Sequence, residues 1–360
     1  MAIEFSSRIG RLPEYPVAGG YSLPGDVAMM ASNESPWPPA PQVLEAAARA
    51  ASGAHRYPDP SNSALRTALA KRYDVPANRI AVGNGSVDLL MATGEALLDP
   101  GAELVYAWPS FSVYPHLPAA SGATAVEVPL DEHHRHDLAA MRREITVATR
   151  LVIVCNPNNP TSTALPFDEI AAFVADVPPA VCVLLDEAYI EFSLLDDPDT
   201  TVDLLERHPN LVLLRTFSKA YGLAALRIGY ALCGSESFVR AVHAVRQPFV
   251  VNGVAAAAAI EALQHQDAVT ERVERTVVSR VEMEEGLRGM GIEPAESQAN
   301  FCWFDLPGGP EAEGDVVAGL RERGVLVRQG SALGRAGALR VTYGTPEQNA
   351  RFLAALRELL

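Results

Sequence analysis

The sequence predicts an α/β protein. A large domain built on a mostly parallel sheet with helices over both faces is followed by a smaller α/β domain and preceded by an N-terminal arm. Three observations carry this. From about residue 41 to residue 250, short apolar runs of strand length alternate with helix-period stretches, the mark of a parallel sheet buried on both faces. Beyond about residue 250 helices dominate, and strands return only near the end. The chain has 360 residues, 48% hydrophobic and 20% charged, which is enough for two cores and too apolar for a disordered chain.

Residues 1–30 are assigned to the arm, 31–250 to the large domain and 251–360 to the small one. The first forty residues are rich in Pro and Gly without a sustained period, which reads as extended chain and turns. Helical stretches PQVLEAAARAA and SALRTALAKRY follow, then a strand RIAV and a helix SVDLLMATGEALL. Strands are predicted at ELVYA, AVEV, LVIVC, VCVLLD, LVLLRT and RIGYAL, with helical patterns between most of them. VAAAAAIEAL and the charged DAVTERVERTVVSRVEMEEGLRGM read as helices, NFCWFDL, GVLVRQ and ALRVTY as strands, and a last helix starts at Pro346.

Asp and Glu number 44 against 29 Lys and Arg, a formal net charge of −15. Such a chain repels nucleic acid and anionic membranes unless it carries a dense basic run, and this sequence has none. Small-molecule chemistry is the expectation. MAIEFSSRIGRLPEYP lacks the charged start and apolar stretch of a signal peptide. The most apolar stretch, Val250 to Leu263, is broken by Asn252, Gly253 and Glu261 and is too short to span a bilayer. A cytoplasmic protein is therefore expected. Cys155, Cys182, Cys233 and Cys302 lie far apart with no CxxC pair, which suits free buried thiols better than a disulfide frame or a zinc site.

Ligands of open parallel sheets bind beyond the carboxyl ends of the strands, and the candidate chemistry lies there. VCVLL runs straight into Asp186, a carboxylate that needs a cationic or donor partner and that alone could be a helix cap or structural ion pair. LVLLRT is followed by Lys219, which could be an exposed lysine or, held in a pocket, a carbonyl nucleophile. Arg227 could hold an anion or serve as a structural cation. Gly83, Gly85 and Ser86 stand between a strand and a helix, where free N–H groups suit a phosphate. The segment fails as a dinucleotide fingerprint, because Asp88 stands where the third Gly belongs. Asn156, Asn158 and Asn159 in IVCNPNNPTST could stabilise a turn or donate to a ligand oxygen.

Taken in order, ASNESP at residue 31, RYPDP at 56, GNGS at 83, WPSFSVYP at 108, CNPNNPT at 155, LDEAYIEF at 185, RTFSKAYGLAALRIGY at 215, QANF at 298 and LRVTYGTPEQN at 339 resemble the fold-type I pyridoxal-phosphate aminotransferases. The branch is that of histidinol-phosphate and aromatic amino acid aminotransferases. The resemblance implies that Lys219 binds the cofactor covalently and shuttles the substrate α-proton, and that Asp186 pairs with the pyridinium nitrogen. It implies that Tyr189 and Asn159 hydrogen-bond the cofactor 3′ oxygen and that Phe111 stacks on the ring, where a Tyr is the alternative. The phosphate would be gripped near Gly85, Ser86 and Val87, by Thr216 and Ser218, by Arg227, and by Tyr57 from a second subunit, so a homodimer is implied. Arg340 would bind the substrate's acidic group, with Asn33 bordering it, and Arg328, Arg340 and Tyr15 match positions that can serve a distal phosphate in the histidinol-phosphate subgroup.

NNPTST departs from the family at Ser162, where Gly is usual, so the turn there is expected to differ in backbone angles. His133, His134 and His136 in DEHHRHD read as a solvated turn rather than a metal site, since no ligand cluster accompanies them. Local wording around VPLDEHHRHDLAAM and SQANFCWFDL resembles the aromatic (phenylalanine) subgroup. The implied activity is transamination between an aromatic amino acid and a 2-oxo acid, with histidinol-phosphate aminotransferase second and a decarboxylase on the same scaffold third. A sensor domain fused to a DNA-binding module is disfavoured by the short arm and the negative charge.

Overall fold

The computed structural model describes residues 3–14 and 25–360. Its strands among these residues are β1 (Ala28–Met29), β2 (Ile80–Gly83), β3 (Glu103–Trp108), β4 (Thr124–Pro129), β5 (Thr149–Cys155), β6 (Cys182–Asp186), β7 (Leu211–Thr216), β8 (Gly229–Cys233), β9 (Phe301–Asp305), β10 (Val325–Leu326), β11 (Arg328–Gln329) and β12 (Ala338–Thr342). Seven of them form one sheet in the order β2-β8-β7-β6-β5-β3-β4. Its central strands read as unbroken apolar runs because both faces are covered. Val183, Leu185, Leu211 and Leu213 point into one core, and Leu184, Val212 and Leu214 into the other.

The sheet departs from the expected pattern at RIGYAL. β8 runs antiparallel to both β7 and β2. The connection from Thr216 to Gly229 holds only a 3₁₀ turn, Ala224–Leu226; a parallel return needs a crossover, usually a helix, and here the chain simply reverses. A second sheet, β11-β12-β9, is antiparallel throughout. GVLVRQ, read as one strand, divides at Val327: β11 joins β12, and β10 pairs in parallel with β1. The stretch assigned to the arm thus contributes a strand of its own, Ala28 opposite Val325 and Met29 opposite Leu326.

The helix Ser86–Leu97 starts three residues after β2 ends, with Gly85 at its N-cap at φ +80°. The helix Pro346–Leu359 opens on a capping box in which Thr345 and Gln348 satisfy each other's backbone N–H groups. Among the described residues no helix is long and apolar enough to cross a membrane, and the four cysteines are buried and free.

Candidate active site

Strand direction assembles the site. β5, β6 and β7 are parallel, so Asn156–Asn159, Asp186 and Thr216–Lys219 leave the sheet at one edge. β2 is antiparallel to β8, which is antiparallel to β7, so Gly83 arrives at the same edge, opposite Gly229. A Cβ on Gly229 would lie 2.4 Å from the Ser86 nitrogen. Glycine there lets the helix N-terminus close onto the sheet. A Cβ on Gly85 would lie 2.7 Å from Arg227 Nη2, so that guanidinium sits directly against the N-cap. Arg227 itself is at φ +56° and donates to the Ala224 carbonyl at 2.8 Å.

The residues enclose a cavity of about 400 Å³. Of the residues singled out in the sequence, Ser86, Val87, Phe111 and Asn159 line it, as do Asp186, Tyr189, Thr216, Ser218 and Lys219. Arg227, Arg328, Arg340 and Asn33 complete that set, with Gly85 directly behind Arg227. Tyr57 is not among the lining residues; it is 82% exposed, its ring stacked on Phe249 at 4.6 Å. Tyr15 lies outside the described residues.

Asp186 is buried. Its Oδ2 accepts from the Tyr114 hydroxyl at 2.8 Å and its Oδ1 from the Ala188 N–H at 3.3 Å. No cation pairs with it among the described residues. Burial pushes its pKa up to about 6 against the pull of these two donors. Lys219 donates from Nζ to the Ser32 carbonyl at 2.9 Å. Burial first, and then the nearby Arg340, bring its pKa down to about 7. Tyr189 is buried, its hydroxyl accepting from Asn33 Nδ2 at 3.0 Å, and burial holds that hydroxyl above its ordinary range.

One end of the cavity is built on the three-stranded sheet. Arg340 on β12 faces Arg328 on β11 in register. Its Nη1 donates to Asn159 Oδ1 and its Nη2 to the Ala31 carbonyl, both at 2.6 Å, and its guanidinium lies 5.5 Å from the Phe301 ring centre. At the other corner Thr216 donates to Ser218 Oγ at 3.0 Å, beside Arg227 and the N-terminus of the helix Ser86–Leu97.

The sequence reading missed Tyr114, the side chain that holds Asp186, although it stands in WPSFSVYP three residues past Phe111. It also missed Glu34 and Leu333 on the cavity wall. Ser162 adopts φ +62°, the region that favours glycine, and is fully buried. The expectation of a solvated turn at DEHHRHD fails for His136, which is buried and lies 3.1 Å from Asn158 Oδ1. No group of His, Cys, Asp and Glu among the described residues could hold a metal ion.

A buried carboxylate without a cation, a corner of N–H groups, hydroxyls and a guanidinium, and an amine that sheds its proton near neutrality together suit a flat heteroaromatic cation carrying a phosphate and a carbonyl. Pyridoxal phosphate is such a molecule, and the donor set fits it.

Residues 26–356 match the family described as aminotransferase class I and II. The aromatic amino acid aminotransferase of Thermobifida fusca is 45% identical over 335 residues, covering 92% of this chain and 90% of that protein. Histidinol-phosphate aminotransferase 2 of Pseudomonas fluorescens is 41% identical over 337 residues, 94% of this chain and 90% of that one. Among solved structures, histidinol-phosphate aminotransferase from Sinorhizobium meliloti in complex with pyridoxal 5′-phosphate superposes with a TM-score of 0.90 at 29% identity, covering 100% of this chain and 98% of that one.

Proposed function

We propose, for a chain that belongs to the class I and II aminotransferases, that it transfers the amino group of an aromatic, phenylalanine-like L-amino acid to a 2-oxo acid. Its cofactor is pyridoxal phosphate. The observation that carries the reading is that Lys219 and Asp186 share one cavity, the amine with a pKa near 7 and the carboxylate short of a cation.

When bound, pyridoxal phosphate supplies a carbonyl for an amine and a cationic ring that accepts electrons from the substrate α-carbon. Lys219 would hold it through Nζ and would take and return the proton at the substrate α-carbon. Asp186 would hold the ring nitrogen's proton and so gain the cation its burial requires, while Tyr114 fixes its carboxylate. Tyr189 and Asn159, which line the cavity, would bind the ring oxygen, and Phe111 would cover the ring. Gly85, Ser86 and Val87 offer backbone N–H groups to the phosphate, joined by the hydroxyls of Thr216 and Ser218 and by Arg227. Arg340 orients the substrate carboxylate with its two terminal nitrogens. Asn33, Arg328 and Tyr15 belong to the same end of the site.

The working form is a homodimer in which Tyr57 completes the partner's phosphate site. The exposure of Tyr57 and its absence from the residues that line its own chain's cavity support this. A cytoplasmic setting is part of the proposal, supported by four free thiols.

Two buried arginines facing each other, Arg328 and Arg340, favour histidinol phosphate as the second reading. The comparison of kcat/KM on phenylalanine with that on histidinol phosphate decides between them. We expect phenylalanine to be preferred; a hundredfold preference for the phosphate ester, about 2.7 kcal/mol, reverses the order. Release of carbon dioxide without amino transfer would identify a decarboxylase.

A further inference from the structure

The DEHHRHD segment is the motif that the proposed chemistry leaves unused, and its third histidine lies among polar groups directly behind the cavity wall. His136 is 4% exposed and bridges Leu130, closing the intervening turn. Its protonation follows from Asn158. Asn158 Nδ2 donates to the Pro109 carbonyl at 3.2 Å and to the Thr161 hydroxyl at 2.8 Å. A carbonyl only accepts, so the amide oxygen must face the other way. That oxygen lies 2.7 Å from Ser110 Oγ and 3.1 Å from His136 Nε2, and Nε2 therefore carries the proton. His136 Nδ1 has no hydrogen-bond partner among the described residues. An imidazolium would leave a donor unmet there, and burial takes the pKa of His136 down to about 4. The ring is a neutral donor. The same turn grips its neighbour a second time, since the His134 carbonyl accepts from Thr161 and Thr163 at 2.9 and 2.7 Å.

With all four of its amide bonds filled, Asn158 ties two stretches of chain together. One, at Pro109 and Ser110, leads into Phe111; the other leads into Asn159, whose Oδ1 holds Arg340. Both Phe111 and Asn159 line the cavity. We propose that His136 is a positioning residue for the aminotransferase reaction: its Nε2–H locks the Asn158 amide and thereby sets Phe111 and Asn159 against the reacting centre and Arg340. The inference rests on the aminotransferase reading and assigns work to a side chain that touches neither cofactor nor substrate.

The test uses the cofactor-loaded enzyme with an aromatic amino donor. His136→Leu keeps much of the volume and removes the donor, whereas His136→Gln restores an N–H near the position of Nε2. The Leu variant is expected to raise KM for the amino donor about tenfold with kcat within about threefold, and to displace the visible band of the bound cofactor. The Gln variant is expected to bring KM and the band back to within about twofold of the parent and to its position. Should the Leu variant not fold, His136→Asn, too short to reach Asn158, replaces it with the same expectation. Losses that merely track Tm in both variants, or a Leu variant unchanged in KM and spectrum, overturn the role. A parent that transaminates no donor at all sinks the aminotransferase reading and this inference together, whereas an active parent with an indifferent Leu variant sinks this inference alone.

Discussion

Lys219 and Asp186 are both held in less favourable states than water would give them, and each shift has a measurable consequence. In the proposed mechanism Lys219→Ala removes the amine that would bind the cofactor and move the proton, so kcat/KM is expected to fall by at least about 10³-fold. The protein should also lose its visible absorbance on washing. A borohydride-reducible cofactor bond at another lysine would refute the assignment. For Asp186 the sign runs the other way from an ordinary paired carboxylate. Its folded pKa, about 6, lies above the ordinary 3.8, so the folded protein without cofactor binds the extra proton and loses stability as pH rises through this window. Asp186→Asn carries no such penalty. Relative to the parent, and with both cofactor-free, the variant should gain unfolding free energy on the order of 2 kcal/mol between pH 4 and pH 7. A difference that stays flat with pH counts against the uncompensated carboxylate.

At the level of elements, the reversal from β7 into β8 decides how closely the corner proposed to hold the phosphate can form. Gly229→Ala would drive a Cβ into the Ser86 backbone, which cannot swing aside as a side-chain tip can. A stability loss of about 1–3 kcal/mol in urea unfolding is expected, with weaker capture of pyridoxal phosphate. An alanine variant indistinguishable from the parent on both counts would show that the helix does not rely on this approach. The strand ends that carry Asp186, Lys219 and Asn159 were legible in the sequence because buried apolar runs stop abruptly at polar residues. Strand direction was not legible: RIGYAL reports burial, whereas polarity is set by a connection too short for a crossover helix. Arg328 was legible as a residue but its strand was not, since the break at Val327 arises from two different partners, β1 and β12. Tyr114 escaped because its role exists only across 72 residues of chain.

At the scale of the whole molecule, the proposed dimer would lend each site a residue from the partner chain. If Tyr57 serves the partner's site, Lys219→Ala and Tyr57→Ala lie in complementary defects, and a mixed dimer contains one site with both residues intact. Refolding the two weak variants together should restore roughly a quarter of the parent activity, from random pairing with one sound site per mixed dimer. Activity no higher than the average of the separate variants would place Tyr57 outside the shared site. The two sheets also meet through the stretch from Ala28 to Asn33. It pairs with β10, its Met30 carbonyl accepts from the Thr342 N–H at 2.9 Å, and the Ala31 and Ser32 carbonyls accept from Arg340 and Lys219. Lys219 is thus held by a peptide oxygen, and Arg340 by another beside Asn159 Oδ1, and no side-chain replacement deletes either peptide oxygen. An alanine scan leaves the Ala31 and Ser32 carbonyls in place, and only displacing the backbone itself, as a proline insertion does, would test whether one thread indexes Lys219 and Arg340 to the same ruler.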